Sequence, residues 1–307
     1  MHINSIVYRL TTFVWLNTLQ VLERLLAILS DSERFTFAMS ITNGDSWIMS
    51  ILSQKLYQFG LMFAPLFYLR WLGKKTFIEQ LTPKTRLKMR VNTFDRQAVH
   101  EVWRLKAYED EHFTIRARDI VIDIGAHIGA FSVRAATQAN SGTVYAFEPN
   151  GENYGLLEEN KKLNDLTNLH VFKLAVSNVA GEAILFNSEF HNMTHSFFED
   201  GVQTKTTIRT ISLAEILQAN EIERVNYLKI DAEGAEYLIV LNAPANVLLK
   251  IDKIFIEYHD NLDHGHNFQE LIRYLIGNGF QVETVGSAFS RHVLKLGLLK
   301  ARRVVPI

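Results

Sequence analysis

The first part of the chain carries apolar side chains at the spacing of amphipathic helices. Two series advance by steps of three and four residues, which places each series on one face of a helix. They are Trp15, Leu19, Leu22, Leu26 and Leu29, followed by Leu52, Leu56, Phe59, Phe63 and Phe67. We predict that residues 1–75 form an α-helical N-terminal extension. It would serve as a cap, as a dimerisation surface or as a contact with a membrane surface.

Basic and mainly apolar residues then alternate, as they do in a strand with one basic face. The basic positions are Lys84, Arg86, Lys88 and Arg90. An edge strand protected by its charges explains the pattern most simply, and a surface for an anionic substrate or headgroup is the alternative. We assign residues 76–117 to a β-strand and helix lead-in.

From residue 118 onward, buried strands alternate with helices. The strands are predicted at 119–124, 143–147, 169–176, 183–187, 206–210, 225–230, 253–258, 280–285 and 292–296. The helices are predicted at 129–140, 150–163, 213–220, 235–242 and 268–278, and Ser212 with Glu215 forms a capping box. This order predicts an α/β domain over residues 118–307, with a Rossmann-like parallel sheet covered by helices on both faces.

Composition narrows the class of protein. The 307 residues are 48% hydrophobic and 21% charged, with 32 Lys and Arg against 33 Asp and Glu. This balance does not suggest a nucleic-acid partner. The chain has no cysteine, so thiolate nucleophiles and Cys-ligated metals are excluded. The longest apolar run, residues 59–69, is too short to span a bilayer, and no signal-peptide cleavage site follows the N-terminal apolar stretch. We expect a cytoplasmic protein that is peripheral at the membrane at most.

The turn after the first strand of this domain has the composition of a nucleotide site. Asp123 ends the strand, Gly125 permits a tight turn, and Gly129 permits close helix–strand contact. The dinucleotide fingerprint has a second glycine where this chain has His127, and a side chain there obstructs a pyrophosphate. S-adenosylmethionine has no phosphate, so the substitution disfavours NAD more than S-adenosylmethionine.

Two further acidic elements follow at strand ends. Glu148 ends the second strand, where a carboxylate reaches the ribose hydroxyls of an adenosine cofactor. Asp231 and Glu233 follow the fourth central strand, which this topology places beside the first. His259 ends the fifth strand, at the same edge of the sheet.

These elements together resemble the FkbM family of class I S-adenosylmethionine-dependent methyltransferases. The matching segments are VIDIGAHIGAFS, YAFEPN, AVSNVAGEA, YLKIDAEGAEYLIVL and IEYHD, in that order. The resemblance covers roughly residues 84–285 and implies methyl transfer to a hydroxyl, usually on a sugar, polyketide or similar metabolite. We therefore expect O-methylation of a sugar, glycan or hydrophobic metabolite, with S-adenosyl-L-methionine as the cofactor.

We assign site residues on this basis. The predicted cofactor contacts are Asp123, Gly125, Ala126, Gly129, Glu148, Ser177 and Asp231. The predicted catalytic residues, among which the base that deprotonates the acceptor is to be found, are Asp231, Glu233 and His259. A divalent ion bridging these three is the less favoured reading, and we assign no metal.

Two other functions fit parts of the sequence. An NAD(P)-dependent oxidoreductase would use the same fold, although His127 argues against it. A non-catalytic scaffold would bind a membrane or a partner protein through residues 1–75.

Overall fold

The computed structural model describes residues 73–91, 93–188, 195–196, 203–260, 266–285 and 296–304. The predicted helical extension lies outside these residues except for residues 73–75. The same holds for all but the last residue of the strand predicted at 292–296. Elements are numbered below within the described part of the chain.

A hairpin and a short helix precede the main sheet. β1 (Thr76–Thr82) pairs antiparallel with β2 (Thr85–Arg90). They lead into α1 (Asp95–His100), which continues as one π-helical turn at Glu101–Leu105. Leu87 and Met89 on β2 are fully buried, so the basic residues that alternate with them lie on the opposite face.

The main sheet has seven strands. They are β3 (Ile120–Ile124), β4 (Thr143–Phe147), β5 (Leu169–Phe172), β10 (Tyr227–Ile230), β11 (Lys253–His259), β12 (Phe280–Val285) and β13 (Leu296–Arg303). Their order is β12-β13-β11-β10-β3-β4-β5, and only the pairings of β13 are antiparallel. The prediction that the strand ending at residue 230 lies beside the first strand is confirmed.

Two of the observed strands differ from the predicted ones. The strand predicted at 169–176 leaves the main sheet after Phe172, and β6 (Ala175–Ser177) joins a smaller sheet. That sheet also contains β7 (Gly181–Ser188), β8 (His195–Ser196) and β9 (Gln203–Ser212). The last strand of the main sheet runs to Arg303, well beyond the predicted end at residue 296. Its glycine and its basic residues mask the apolar signal.

Helices cover both faces of the main sheet, as predicted. They are α2 (Ala130–Gln138), α3 (Gly151–Leu163), α4 (Leu213–Ala219), α5 (Glu236–Leu241), α6 (Ala245–Leu248) and α7 (Phe268–Gly277). The Asn150 side chain accepts the N–H groups of Glu152 and Asn153 at the start of α3. The predicted capping box of Ser212 and Glu215 is present at the start of α4. Among the described helices, none combines the length and the apolar character needed to cross a bilayer.

The strands alternate between two hydrophobic cores. Ile122, Leu228 and Ile254 belong to one core, with α4, α5 and α7. Their neighbours Val121, Tyr227 and Phe255 belong to the other, with α1, α2 and α3. The second core also contains Leu87, Met89, Val102, Tyr108 and Phe113, so the lead-in is built into the same packed unit as the sheet.

We predict that Gly125→Ala destabilises the fold. A Cβ at this residue would lie 1.7 Å from the backbone oxygen of Asp231, and the φ of +75° disfavours any other side chain. The free energy of unfolding in urea should fall by more than about 2 kcal/mol. Gly155→Ala is the matched control, because nothing lies within 4 Å of its added Cβ. That change in α3 should stabilise by about 0.5–1 kcal/mol. Equal unfolding midpoints would contradict this view of the turn.

Candidate active site

A cleft of about 140 Å³ opens at the carboxyl ends of β3, β4 and β10. This is where the sequence predicts a ligand, because the loops after parallel strands meet at one edge of the sheet. The strand ends contribute Gly125, Ala126, His127, Glu148, Pro149, Lys229, Asp231, Ala232, Glu233 and Glu257 to its lining. The lead-in contributes Ala98, Glu101, Val102 and Tyr108, and the chain after β5 contributes Leu174, Ala175 and Val176.

The turn after β3 is tied to the neighbouring strand. The N–H groups of Gly125 and Ala126 both donate to the Phe147 carbonyl at 3.0 Å. Gly129 is buried at a φ of +88°, and a Cβ there would lie 2.5 Å from Leu157 of α3. The close approach permitted by Gly129 is therefore between helices, and not between helix and strand as predicted. Gly129 does not line the cleft.

Glu148 lies in the wall of the cleft with only 5% of its surface exposed. Its carboxylate accepts the backbone N–H groups of His127 and Asn150, each at 2.8 Å. Burial raises the pKa of Glu148 to about 7 in spite of these bonds and of a further one from the Asn153 side chain. The carboxylate is thus fixed in direction and retains lone pairs for a ligand donor.

A network from the lead-in supports this wall. Arg90 donates to both carboxylate oxygens of Asp95, at 3.0 and 2.8 Å, and to Asn153 Oδ1 at 2.8 Å. Its guanidinium also lies 3.2 Å from His127 Nε2. Asp95 is fully buried. Arg90 therefore differs from the predicted solvated basic residue, because it joins β2 to the two segments that hold Glu148.

Lys229 is a buried cation between two acidic residues. Its Nζ lies 3.2 Å from Asp123 Oδ1 and 3.5 Å from Asp231 Oδ2, and it donates to the Gly125 carbonyl at 3.3 Å. Burial lowers the pKa of Lys229, but the charges of Asp123 and Asp231 outweigh it and raise that pKa. The sequence analysis missed this role, although Lys229 lies within the matching segment YLKIDAEGAE.

Asp123 lies at the end of β3 and is fully buried. Its carboxylate has no exposed surface, and it accepts hydrogen bonds from Ser132 at 2.5 Å and from Lys229 at 3.2 Å. Asp123 does not line the cleft, and the hydrogen-bond donors to its carboxylate belong to the protein itself. Ser177 likewise lies outside the lining, and its hydroxyl donates to Asn178 at 3.2 Å. Its neighbour Val176 in β6 does line the cleft.

The three predicted catalytic residues meet at one side of the cleft. One ligand atom from each of Asp231, Glu233 and His259 lies within 4.8 Å of the other two. His259 Nε2 is 3.4 Å from Glu233, and its Nδ1 is 3.2 Å from Glu236. Asp231 and Glu233 line the cleft, whereas His259 lies behind them.

Electrostatics in this region reflect a surplus of carboxylates. Burial raises the pKa of Glu233, and it raises the pKa of Glu257 to about 7 with a further contribution from Asp231. Burial alone would lower the pKa of His259, but the carboxylates of Glu236 and Glu233 raise it well above its ordinary value. These groups therefore favour a positive charge among them.

The sheet order and a cleft of this composition define a Rossmann-like, class I methyltransferase. Residues 123–282 match the family described as the methyltransferase FkbM domain, and the chain belongs to that family. It is therefore an S-adenosylmethionine-dependent methyltransferase. Membership decides against the NAD(P)-dependent oxidoreductase and against a non-catalytic scaffold.

Two curated relatives show the range of the family. The chain is 31% identical over 178 residues to the hexuronic acid methyltransferase AglP of Haloferax volcanii, covering 55% of this chain and 71% of that protein. It is 24% identical over 223 residues to the 31-O-demethyl-FK506 methyltransferase FkbM of Streptomyces tacrolimicus, covering 62% of this chain and 84% of that protein.

Similar solved structures include TYW2 of M. jannaschii in complex with AdoMet. That match has a TM-score of 0.41 and 16% identity, and covers 75% of this chain and 88% of that chain. The precorrin-6y C5,15-methyltransferase of Geobacter metallireducens has a TM-score of 0.38 and 12% identity, covering 62% and 85%. Because both TM-scores are low, the fold assignment depends on the sheet order and not on these two structures.

We predict that Lys229→Met costs about 3–5 kcal/mol of stability, because it leaves the Asp123 carboxylate buried without its cation. The double variant Asp123→Asn/Lys229→Met removes both charges and should recover part of this loss. Lys250→Met is the control, because its partner Glu223 is 87% exposed at the side chain. Breaking that surface pair should cost less than about 1 kcal/mol. Similar urea midpoints for Lys229→Met and Lys250→Met would show that the buried pair is not a stability determinant.

Proposed function

We propose that this chain transfers the methyl group of S-adenosylmethionine to a hydroxyl of an acidic sugar of the hexuronic acid class, free or within a glycan. The observation that carries the proposal is the convergence of Glu148, the Gly125 turn and the Asp231–Glu233 pair on one cleft. The acceptor class is supported by the 31% identity to a hexuronic acid methyltransferase. Residues 1–75 are proposed to serve as a cap, as a dimerisation surface or as a contact with a membrane surface.

The cofactor would lie along the carboxyl ends of β3 and β4. The backbone of Gly125 and Ala126 would face its methionine part, and the Glu148 carboxylate would accept hydrogen bonds from the ribose hydroxyls. Val176 would flank the adenine. Asp123 and Gly129 would act indirectly. Asp123 would hold Lys229 in place, and Gly129 would allow α3 to pack closely against the start of α2.

The residues of the cleft meet the modest demands of O-methylation. S-adenosylmethionine supplies a methyl group on a positively charged sulfur, which is left as a neutral thioether. The protein must hold the acceptor oxygen in line with that methyl, exclude water and remove one proton. Asp231 and Glu233 face the cleft and are placed to orient the acceptor hydroxyl and to receive its proton, with His259 behind them.

Methyl transfer from radiolabelled S-adenosylmethionine tests the acceptor class. We expect label in glucuronic or galacturonic acid glycosides, and at least tenfold less in the matching neutral hexosides. Asp231→Asn should lower kcat by roughly 10²–10⁴-fold, the range typical of a lost acid–base group. Equal labelling of neutral sugars would overturn the acceptor class, and unchanged kcat in Asp231→Asn would remove this residue from the site.

The Glu148 carboxylate predicts a pH dependence of cofactor affinity. Its pKa of about 7 means that it is ionised above that pH and protonated below it. Only the ionised form accepts from both ribose hydroxyls, so the Kd for S-adenosylmethionine should rise about tenfold from pH 8 to pH 6.

The control for this titration is Glu148→Gln, which preserves shape. Calorimetry should find it about 1–3 kcal/mol weaker in binding, with the pH dependence removed. A wild-type Kd that does not change between these pH values, or the same slope in Glu148→Gln, would show that another group binds the ribose.

A further inference from the structure

Three side chains of metal-ligating type meet at the carboxyl ends of β10 and β11. Asp231 and Glu233 offer carboxylate oxygens and His259 offers a ring nitrogen, with ligand atoms within 4.8 Å of one another. A cation held at roughly 2.0–2.6 Å from each ligand spans separations of this size. All three residues are half-buried, so a cation among them would be partly shielded from water and still reachable from the cleft.

The orientation of His259 matches that of a metal-binding histidine. Its Nδ1 lies 3.2 Å from Glu236 Oε1, while its Nε2 points towards Glu233. Glu236 is fully buried and is itself fixed, because its carboxylate accepts the N–H groups of Ala232 and Gly234. Histidines that bind metals commonly donate their second ring N–H to such a carboxylate, which fixes the tautomer and the ring direction.

The excess of carboxylates in the cleft also favours the binding of a cation. Its described lining contains the carboxylates Glu101, Glu148, Asp231, Glu233 and Glu257, and a single lysine. That lysine, Lys229, is already shared by Asp123 and Asp231. An acceptor that carries its own carboxylate would be repelled by this wall unless a positive charge lay between them.

We propose that Asp231, Glu233 and His259 bind one divalent cation, Mg²⁺ or Mn²⁺, and that this cation receives the oxygens of the acidic acceptor. Carboxylates together with one imidazole are ligands that these ions accept. The cation site stands on the geometry of the three residues. Its role towards the acceptor rests on the proposed function.

A titration of the chelator-treated full chain with Mn²⁺ tests the site, because the electron paramagnetic resonance signal of free Mn²⁺ falls as the ion binds. We expect one Mn²⁺ per chain, displaced by excess Mg²⁺. Asp231→Asn and Glu233→Gln should each weaken binding at least tenfold. Glu101→Gln is the matched control, since it removes one charge from the same cleft outside the ligand set, and it should change the affinity less than threefold. Thermal unfolding of each variant establishes that it is folded.

The outcomes separate the cation from the acceptor. If the chain binds no Mn²⁺ and still transfers methyl groups in the presence of the chelator, the metal site is overturned and the proposed function stands. In that case His259 would supply the positive charge as an imidazolium. Equal weakening in Glu101→Gln and Glu233→Gln would also overturn it, since diffuse charge would then explain the binding. Binding that depends on all three residues, without methyl transfer to any hexuronic acid, would support the metal site and overturn the acceptor class.

Discussion

The buried ammonium group of Lys229 joins β3 and β10, two of the strands whose loops form the cleft. It contacts Asp123 at the end of β3, the Gly125 carbonyl in the following turn, and Asp231 just after β10. Because a charge in this position is stable only with its partners in place, it fixes the spacing of the two loops. The left-handed Gly125 then allows the β3 turn to pass directly against the Asp231 backbone. This junction positions the β3 turn and Asp231, whereas Glu148 is oriented separately by the N–H groups of His127 and Asn150.

The sequence was sufficient to predict which edge of the sheet carries the cleft. Strand-end residues of parallel neighbours meet at one edge, so Glu148, Asp231, Glu233 and His259 could be placed together from the order of the strands alone. The lead-in was harder to predict, because its contribution depends on tertiary contacts. Arg90 looks like one of four alternating basic residues, and only packing against Asp95 and Asn153 distinguishes it from Lys84 or Arg86.

Burial distinguishes residues that the sequence treats alike. Asp123 and Ser177 were predicted from their positions at strand ends, but position does not reveal whether a carboxylate or a hydroxyl is used within the protein. The Asp123 carboxylate already accepts hydrogen bonds from Lys229 and Ser132. After Phe172 the chain leaves the main sheet, and Val176 of the smaller sheet lines the cleft. Lys229 and Asp123 lie opposite each other on the adjacent strands β10 and β3. An oppositely charged pair at matching positions of two neighbouring strands is the sequence signal that would have revealed this ion pair.

The position of β13 has a consequence for biosynthesis. This strand lies between β11 and β12, although it follows both in the chain. While the chain emerges from the ribosome, β11 has one open edge and β12 has no neighbour in the main sheet until residues 296–303 have been translated. Five of the seven strands, β5, β4, β3, β10 and β11, can therefore pair during translation, but the side that carries His259 is completed only after residues 296–303 have been synthesised.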